Sequence, residues 1–176
     1  IFNNKGVEIN KQETEILLQP GINEISQTIK FNAISLWSPN NPNLYKIKSQ
    51  IKTKDKNEDI VSETFGFREF TVKNDRFYLN DNPIYLKAAF FEGLYPIKLA
   101  HPDSKEMVIK EIMMAKKAGF NMIRPWRKPP PPMWLKIADS LGVLTVGSMA
   151  IECMDMPIET PYLPQRVESE ITEAIL

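Results

Sequence analysis

After Lys73 the sequence repeats a unit that few folds accommodate: a short apolar strand, an amphipathic helix stopped by glycine, then the same again. Ala88-Ala89-Phe90-Phe91 is the first such strand. Asp103 or Ser104 then caps a helix, with Glu106 placed for a capping box. Its apolar residues Val108, Ile112 and Ala115 share one face beside Ile109 and Met113, and Gly119 takes the C′ position. Phe120 to Arg124 predicts a second strand. Pro132 leads into a second helix with Trp134, Ile137, Ala138 and Leu141 at i, i+3, i+4 and i+7, stopped by Gly142. Val143 to Val146 predicts a third strand, and Gln165 to Leu176 a further helix. Strands alternating with helices at this spacing imply a parallel α/β structure.

The first 72 residues have a different period. Apolar residues alternate in short runs between polar turns, which predicts strands and a β-sandwich. Tyr45, Ile47 and Ile51 fall on one face of a strand, the charged run Asp55 to Asp59 makes a hairpin connection, and Phe65 to Val72 is read as the returning strand. Ile16 to Leu18 and Ile22 to Ile29 offer two more, for about five in all, against the seven of a complete immunoglobulin-like sandwich. Phe77 to Leu79, the turn Asn80 to Pro83, and Ile84 to Leu86 predict a hairpin whose second arm runs on through Phe91 as a buried strand.

Charge excludes two classes of partner. Lys and Arg number 22, equal to Asp and Glu, so no cationic excess is available to displace counterions from nucleic acid or to hold an anionic membrane. The apolar stretch from Leu141 to Ile151 is about half of the roughly 20 residues a membrane-spanning helix needs. A single cysteine, Cys153, and a single histidine, His101, do not make a zinc site of the usual kind. Neither G-x-G-x-x-G nor G-x-x-x-x-G-K occurs, so nucleotide chemistry has no support. The sequence opens on Ile1 with no basic-then-apolar leader after it, and compartment and oligomeric state are left open.

Five segments in register carry a family resemblance. Leu36-Trp37-Ser38-Pro39-Asn40-Asn41-Pro42-Asn43-Leu44-Tyr45 resembles the W-S-P-E-N-P-x-L-Y signature of glycoside hydrolase family 2, the β-galactosidase, β-glucuronidase and β-mannosidase group. Phe65-Gly66-Phe67-Arg68 is similar to its F-G-F-R strand, and Tyr78 to Lys87 to F-x-L-N-G-K-P-x-x-L-R-G. Gly119-Phe120-Asn121-Met122-Ile123-Arg124 resembles G-x-N-x-V-R, and Ala138 to Leu144 resembles C-D-E-x-G-I-L. The resemblance implies a partial immunoglobulin-like sandwich over residues 1–72 and the first three βα units of a (β/α)₈ TIM barrel over residues 73–176. A closed barrel takes about 250 residues, so the chain reads as a fragment. It further implies a retaining glycosidase that acts on O-glycosidic bonds of β-linked sugars with two carboxylates and no cofactor. The alternative is a non-catalytic carbohydrate-binding or interaction module on the same scaffold.

Barrel enzymes place functional residues at the C-terminal ends of strands. The resemblance implies that Arg124, at the end of the second strand, hydrogen-bonds the nucleophilic carboxylate, a task suited to a planar guanidinium. Trp126 offers an indole face for stacking on a sugar ring, with packing beneath the proline run as the equally weighted alternative. Arg127 is a further candidate for binding substrate, and with Lys128 it stands where the family carries a His and a Tyr-Pro, so sugar preference does not transfer. Glu92 and Glu152 are candidates for the substrate side of the site. They are not read as the catalytic pair, because the resemblance implies an acid/base and a nucleophile that are glutamates after strands 4 and 7, beyond Leu176. Pro129 to Pro132 satisfies P-x-x-P but is read as a rigid helix lead-in, and His101 as an exposed loop residue.

Overall fold

The computed structural model describes residues 1–53, 58–99, 101–125, 129–148 and 162–175. Two small antiparallel sheets come first. β1 (Tyr45–Lys52) pairs with β2 (Glu58–Phe65) over eight residues, with Tyr45 opposite Phe65. β3 (Phe70–Lys73), β4 (Arg76–Leu79) and the two-residue β5 (Asn82–Pro83) form the second sheet in that order. Asn74 and Asp75 between β3 and β4, and Asn80 and Asp81 between β4 and β5, all have positive φ (49° to 61°), which Asn and Asp tolerate in tight hairpin turns.

The strand that returns from β1 is therefore Glu58–Phe65, earlier than the expected Phe65 to Val72. Phe65 closes that ladder and Phe70 opens the next. The two strands expected within Ile16 to Ile29 do not form: Leu17 and Ile22 stand almost fully exposed, and the two arms meet through side chains, Gln27 Nε2 donating to Thr14 Oγ1 at 3.0 Å, without a backbone ladder. The apolar alternation is present there, but a strand needs a partner. An aromatic cluster holds this part together instead. The rings of Tyr45, Phe65, Phe67 and Phe31 meet at centroid distances of 5.1 to 6.0 Å, and the Tyr45 hydroxyl accepts the Ser35 N–H at 2.8 Å.

The chain then enters an α/β arrangement. β6 (Ala88–Phe91), β7 (Met122–Pro125) and the two-residue β8 (Leu144–Thr145) form one parallel sheet, with β7 central. Helices α1 (Lys105–Lys117) and α2 (Pro132–Leu141) make the crossovers, and α3 (Leu163–Ile175) follows. The hairpin arm does not continue as one strand: residues 84–87 leave the β4–β5 sheet and β6 joins a different one. Asn121 fixes that transfer, because its side chain accepts the Lys87 N–H at 2.8 Å and donates to the Tyr85 carbonyl at 2.9 Å. β6 is not buried as expected. It pairs with β7 alone, and Phe90 is exposed.

The helix signals act locally as their chemistry demands. The Ser104 hydroxyl accepts the Met107 N–H at 3.1 Å, while Glu106 sits one position too early to complete a capping box. Gly119 (φ 90°) follows α1 and Gly142 (φ 72°) caps α2, both in the left-handed region. Pro131 and Pro132 lead into α2 as expected of the proline run. The core lies between the helices and one face of the parallel sheet: Val108 and Ile112 from α1, Ile123 from β7, and Trp134, Ile137 and Ala138 from α2, closed by Val143.

A polar and aromatic joint connects the two parts. Trp37 is fully buried, and its indole N–H donates to the Asp139 carbonyl oxygen of α2 at 2.8 Å. The Arg68 guanidinium lies 4.5 Å from the Trp37 ring centroid and pairs with the Asp139 carboxylate at 2.7 Å. Asn80 Nδ2 donates to the Trp37 carbonyl, and Lys116 Nζ donates to the carbonyls of Pro39 and Leu141. Two glycines permit the approach. A Cβ on Gly66 would lie 2.8 Å from the Trp37 Cβ, and one on Gly142 would overlap the Pro39 carbonyl oxygen.

Candidate functional site

The parallel sheet turns one face to the helices and leaves the other without them. Ile123 packs into the helical core, so the pleat puts its neighbours Met122 and Arg124 on the opposite face. Phe90 is the register partner of Arg124, and Leu144 that of Met122. Among the described residues that face carries Phe90, Met122, Leu144 and the half-buried Arg124, the penultimate residue of the central strand. That puts a guanidinium beside apolar side chains near the C-terminal end of the central parallel strand.

Glu92 follows directly on β6, and its side chain is exposed. It leaves the sheet at the end where Arg124 lies, since Phe91 is the register partner of Pro125. Trp126, Arg127 and Glu152 lie outside the described residues, as do Lys128 and Cys153. His101 is exposed. Among the described residues no group of three or more His, Cys, Asp or Glu side chains is placed to hold a metal ion, and no helix is long and apolar enough to cross a membrane.

Sequence reasoning missed the pair that braces the loop after β6. Tyr95 is buried, its ring meets Phe91 edge-on at 6.2 Å, and its hydroxyl donates to Glu111 Oε2 of α1 at 3.2 Å. Phe91 in turn stacks on Trp134 at 6.1 Å, whose buried indole N–H has no hydrogen-bond partner among the described residues. The available signal was Glu111 itself, three residues beyond Val108 and adjacent to Ile112, an acid on the flank of the apolar helical stripe. Burial pushes the Glu111 carboxyl above its usual range, with the Tyr95 hydrogen bond opposing. Burial and the facing carboxylate push the Tyr95 hydroxyl well above the tyrosine range, so it remains a donor.

The raised Glu111 pKa has a calculable sign. A carboxyl that binds its proton more readily when folded stabilises the fold fully below its unfolded pKa and loses that contribution as pH rises through its folded value. Glu111→Gln keeps an acceptor for Tyr95 without the charge. Its melting temperature should match wild type near about pH 4, around the unperturbed carboxyl value, and exceed it increasingly toward neutrality. A difference that stays constant with pH would show that Glu111 titrates alike in both states.

A cleft of about 530 Å³ lies elsewhere, in the β-rich part, among Asn3, Asn10, Lys30, Phe31, Asn43 and Tyr45. Three of its amides are already committed to the chain. Asn3 Oδ1 accepts the N–H groups of Lys5 and Val7, Asn43 Nδ2 donates to the Leu36 carbonyl, and Asn10 Nδ2 to that of Lys30. The strand ends around Arg124 remain the better candidate because they lie at the C-terminal edge of a parallel sheet, where α/β folds meet their ligands.

Comparison with known proteins bears on what these strand ends serve. Residues 1–68 match the sequence profile of "Glycosyl hydrolases family 2". A protein of Formosa agariphila named "Putative beta-glucuronidase" is 39% identical over 117 residues, 65% of this chain. The chain belongs to glycosyl hydrolase family 2. A β-galactosidase of Photobacterium profundum is 26% identical over 134 residues, 75% of this family 2 chain. The apo structure of Bacteroides uniformis β-glucuronidase 3 superposes on 99% of the chain with a TM-score of 0.83 at 24% identity, a likeness of fold. The chain spans 11% and 13% of the two sequence relatives and 21% of that solved chain. The succession of a β-rich part and an α/β part is therefore a fold that this chain shares with that solved β-glucuronidase.

Proposed function

We propose that this chain forms part of a retaining β-glycoside hydrolase, in which residues 1–72 belong to an immunoglobulin-like sandwich and residues 73–176 to the first three βα units of a TIM barrel. The observation that carries the reading is Arg124: in a chain of this family, a guanidinium stands one residue from the C-terminal end of the central parallel strand, on the face opposite the helical core. In a closed barrel that face is the interior, and the C-terminal strand ends are where substrate is met.

The chemistry needs two carboxylates supplied by polypeptide beyond Leu176. One attacks the anomeric carbon to give a glycosyl-enzyme, the other protonates the departing oxygen, and the second then acts as base toward water. Arg124 holds the nucleophile ionised and oriented, since a fork of N–H donors fixes both oxygens of a carboxylate. Glu92 and Glu152 bind sugar hydroxyls, Trp126 stacks on the ring and Arg127 contacts its polar edge. No cofactor takes part.

A panel of p-nitrophenyl β-glycosides tests the reading on the full-length polypeptide that carries this segment. Release of nitrophenol from the glucuronide or the galactoside, with the β-configured sugar as first product, is the expected result. Binding of these sugars without turnover would instead favour the non-catalytic carbohydrate module.

A further inference from the structure

We propose that the loop joining β6 to α1 recognises the aglycone of the substrate, with Leu94, Ile97 and Leu99 as its apolar contacts for the non-sugar part of a β-glycoside. The inference rests on the hydrolase reading above and deepens it. The loop opens at Glu92, immediately after Phe91, and Phe91 is the register partner of the residue that follows Arg124. It therefore leaves the sheet at the end that Arg124 occupies.

Three large aliphatic side chains within six residues stand 71%, 79% and 70% exposed. They are carried on a braced frame. Tyr95 anchors the loop through Phe91 and Glu111, its N–H donates to the Leu99 carbonyl at 2.8 Å, and the Lys98 N–H donates to Asp103 Oδ1 at 3.0 Å. Leu99 adopts φ 53°, a left-handed conformation that a leucine disfavours, and gains no burial to offset it. Water is a poor environment for such a set; an apolar ligand surface satisfies it.

The chemistry separates the two halves of a glycoside. Sugar hydroxyls call for hydrogen-bonding groups, and the strand ends hold them in Arg124 and Glu92. The three aliphatic tips offer none, and the nearby Lys98 ammonium is taken by the Asp103 carbonyl at 3.3 Å. The occupant that suits apolar tips beside a polar strand end is the apolar leaving group of a glycoside whose sugar lies over the strands.

The test compares the p-nitrophenyl and methyl glycosides of one sugar in the full-length polypeptide. Leu94→Ser with Ile97→Ser removes two largely exposed side chains. Leu99→Asn is a second, independent variant that suits the left-handed backbone. Each should lower kcat/KM for the aryl glycoside about tenfold or more, within the range that lost apolar contacts give, and change that for the methyl glycoside less than twofold. Equal effects on both substrates, or none, overturn the proposal, and equal effects with an altered oligomeric state assign the loop to a protein contact. A wild-type protein that cleaves no glycoside overturns the hydrolase reading and this one with it; one that cleaves both but loses no discrimination in the variants overturns this one alone.

Discussion

Replacing Trp37 with alanine is expected to lower the unfolding free energy by about 3 to 5 kcal/mol, the range for deleting a large aromatic from a filled site. The side chain is fully buried at the joint between the β-rich and α/β parts. Its removal opens a cavity, leaves the Asp139 carbonyl with the Gly142 N–H alone as donor and takes away the surface on which the Arg68 guanidinium rests. Trp37→Phe separates these effects. It keeps most of the apolar area but loses the N–H, and should cost about 0.5 to 1.5 kcal/mol, the net worth of one hydrogen bond, because the Gly142 N–H still reaches that carbonyl. The ion pairs across the same joint are no substitute. Lys136 pairs with Glu63 at 2.9 Å and holds its carboxyl below the usual range, but both side chains are more than half exposed, where water and salt screen the pair to a small contribution. Denaturant midpoints of the two variants check the order. A loss below about 1 kcal/mol for Trp37→Ala would mean that the joint is held elsewhere.

That joint marks the limit of what the sequence reveals. Ser104, Gly119, Pro132 and Gly142 were legible because each acts through its own backbone or a residue three or four away: a hydroxyl caps, a glycine enters the left-handed region, a proline starts a helix. The helical stripes Val108 and Ile112, and Trp134, Ile137 and Ala138, were legible for the same reason, since one period fixes one face. Trp37 could be read as packed but not as packed on α2, because its hydrogen-bond partner lies 102 residues away. The Ile16 to Ile29 segment failed in the opposite sense. Its alternation satisfies a strand's own geometry, whereas a ladder depends on a second segment that no local pattern names. At the candidate site the same division holds. Arg124 was visible as a strand end, while Tyr95 was not, because its meaning comes from Glu111 and Phe91 on other elements.

Arg124→Lys should slow formation of the glycosyl-enzyme about 10²-fold or more in the full-length polypeptide, equivalent to roughly 3 kcal/mol of transition-state stabilisation. Lysine preserves the charge and loses the planar fork, so a role in orienting a carboxylate predicts a fall in kcat larger than any rise in KM. Stability should hardly move. Arg124 is half-buried on the face opposite the helical core, and the packing of Ile123 between α1 and α2 does not depend on it. A purely structural arginine predicts the reverse pattern, with a lowered melting temperature and an unchanged chemical step. Measuring the burst of nitrophenol release and the melting temperature on one preparation separates the two, because the burst reports glycosyl-enzyme formation before water completes the cycle. An undiminished burst rate would take Arg124 out of the active site, even if the variant melted several degrees lower.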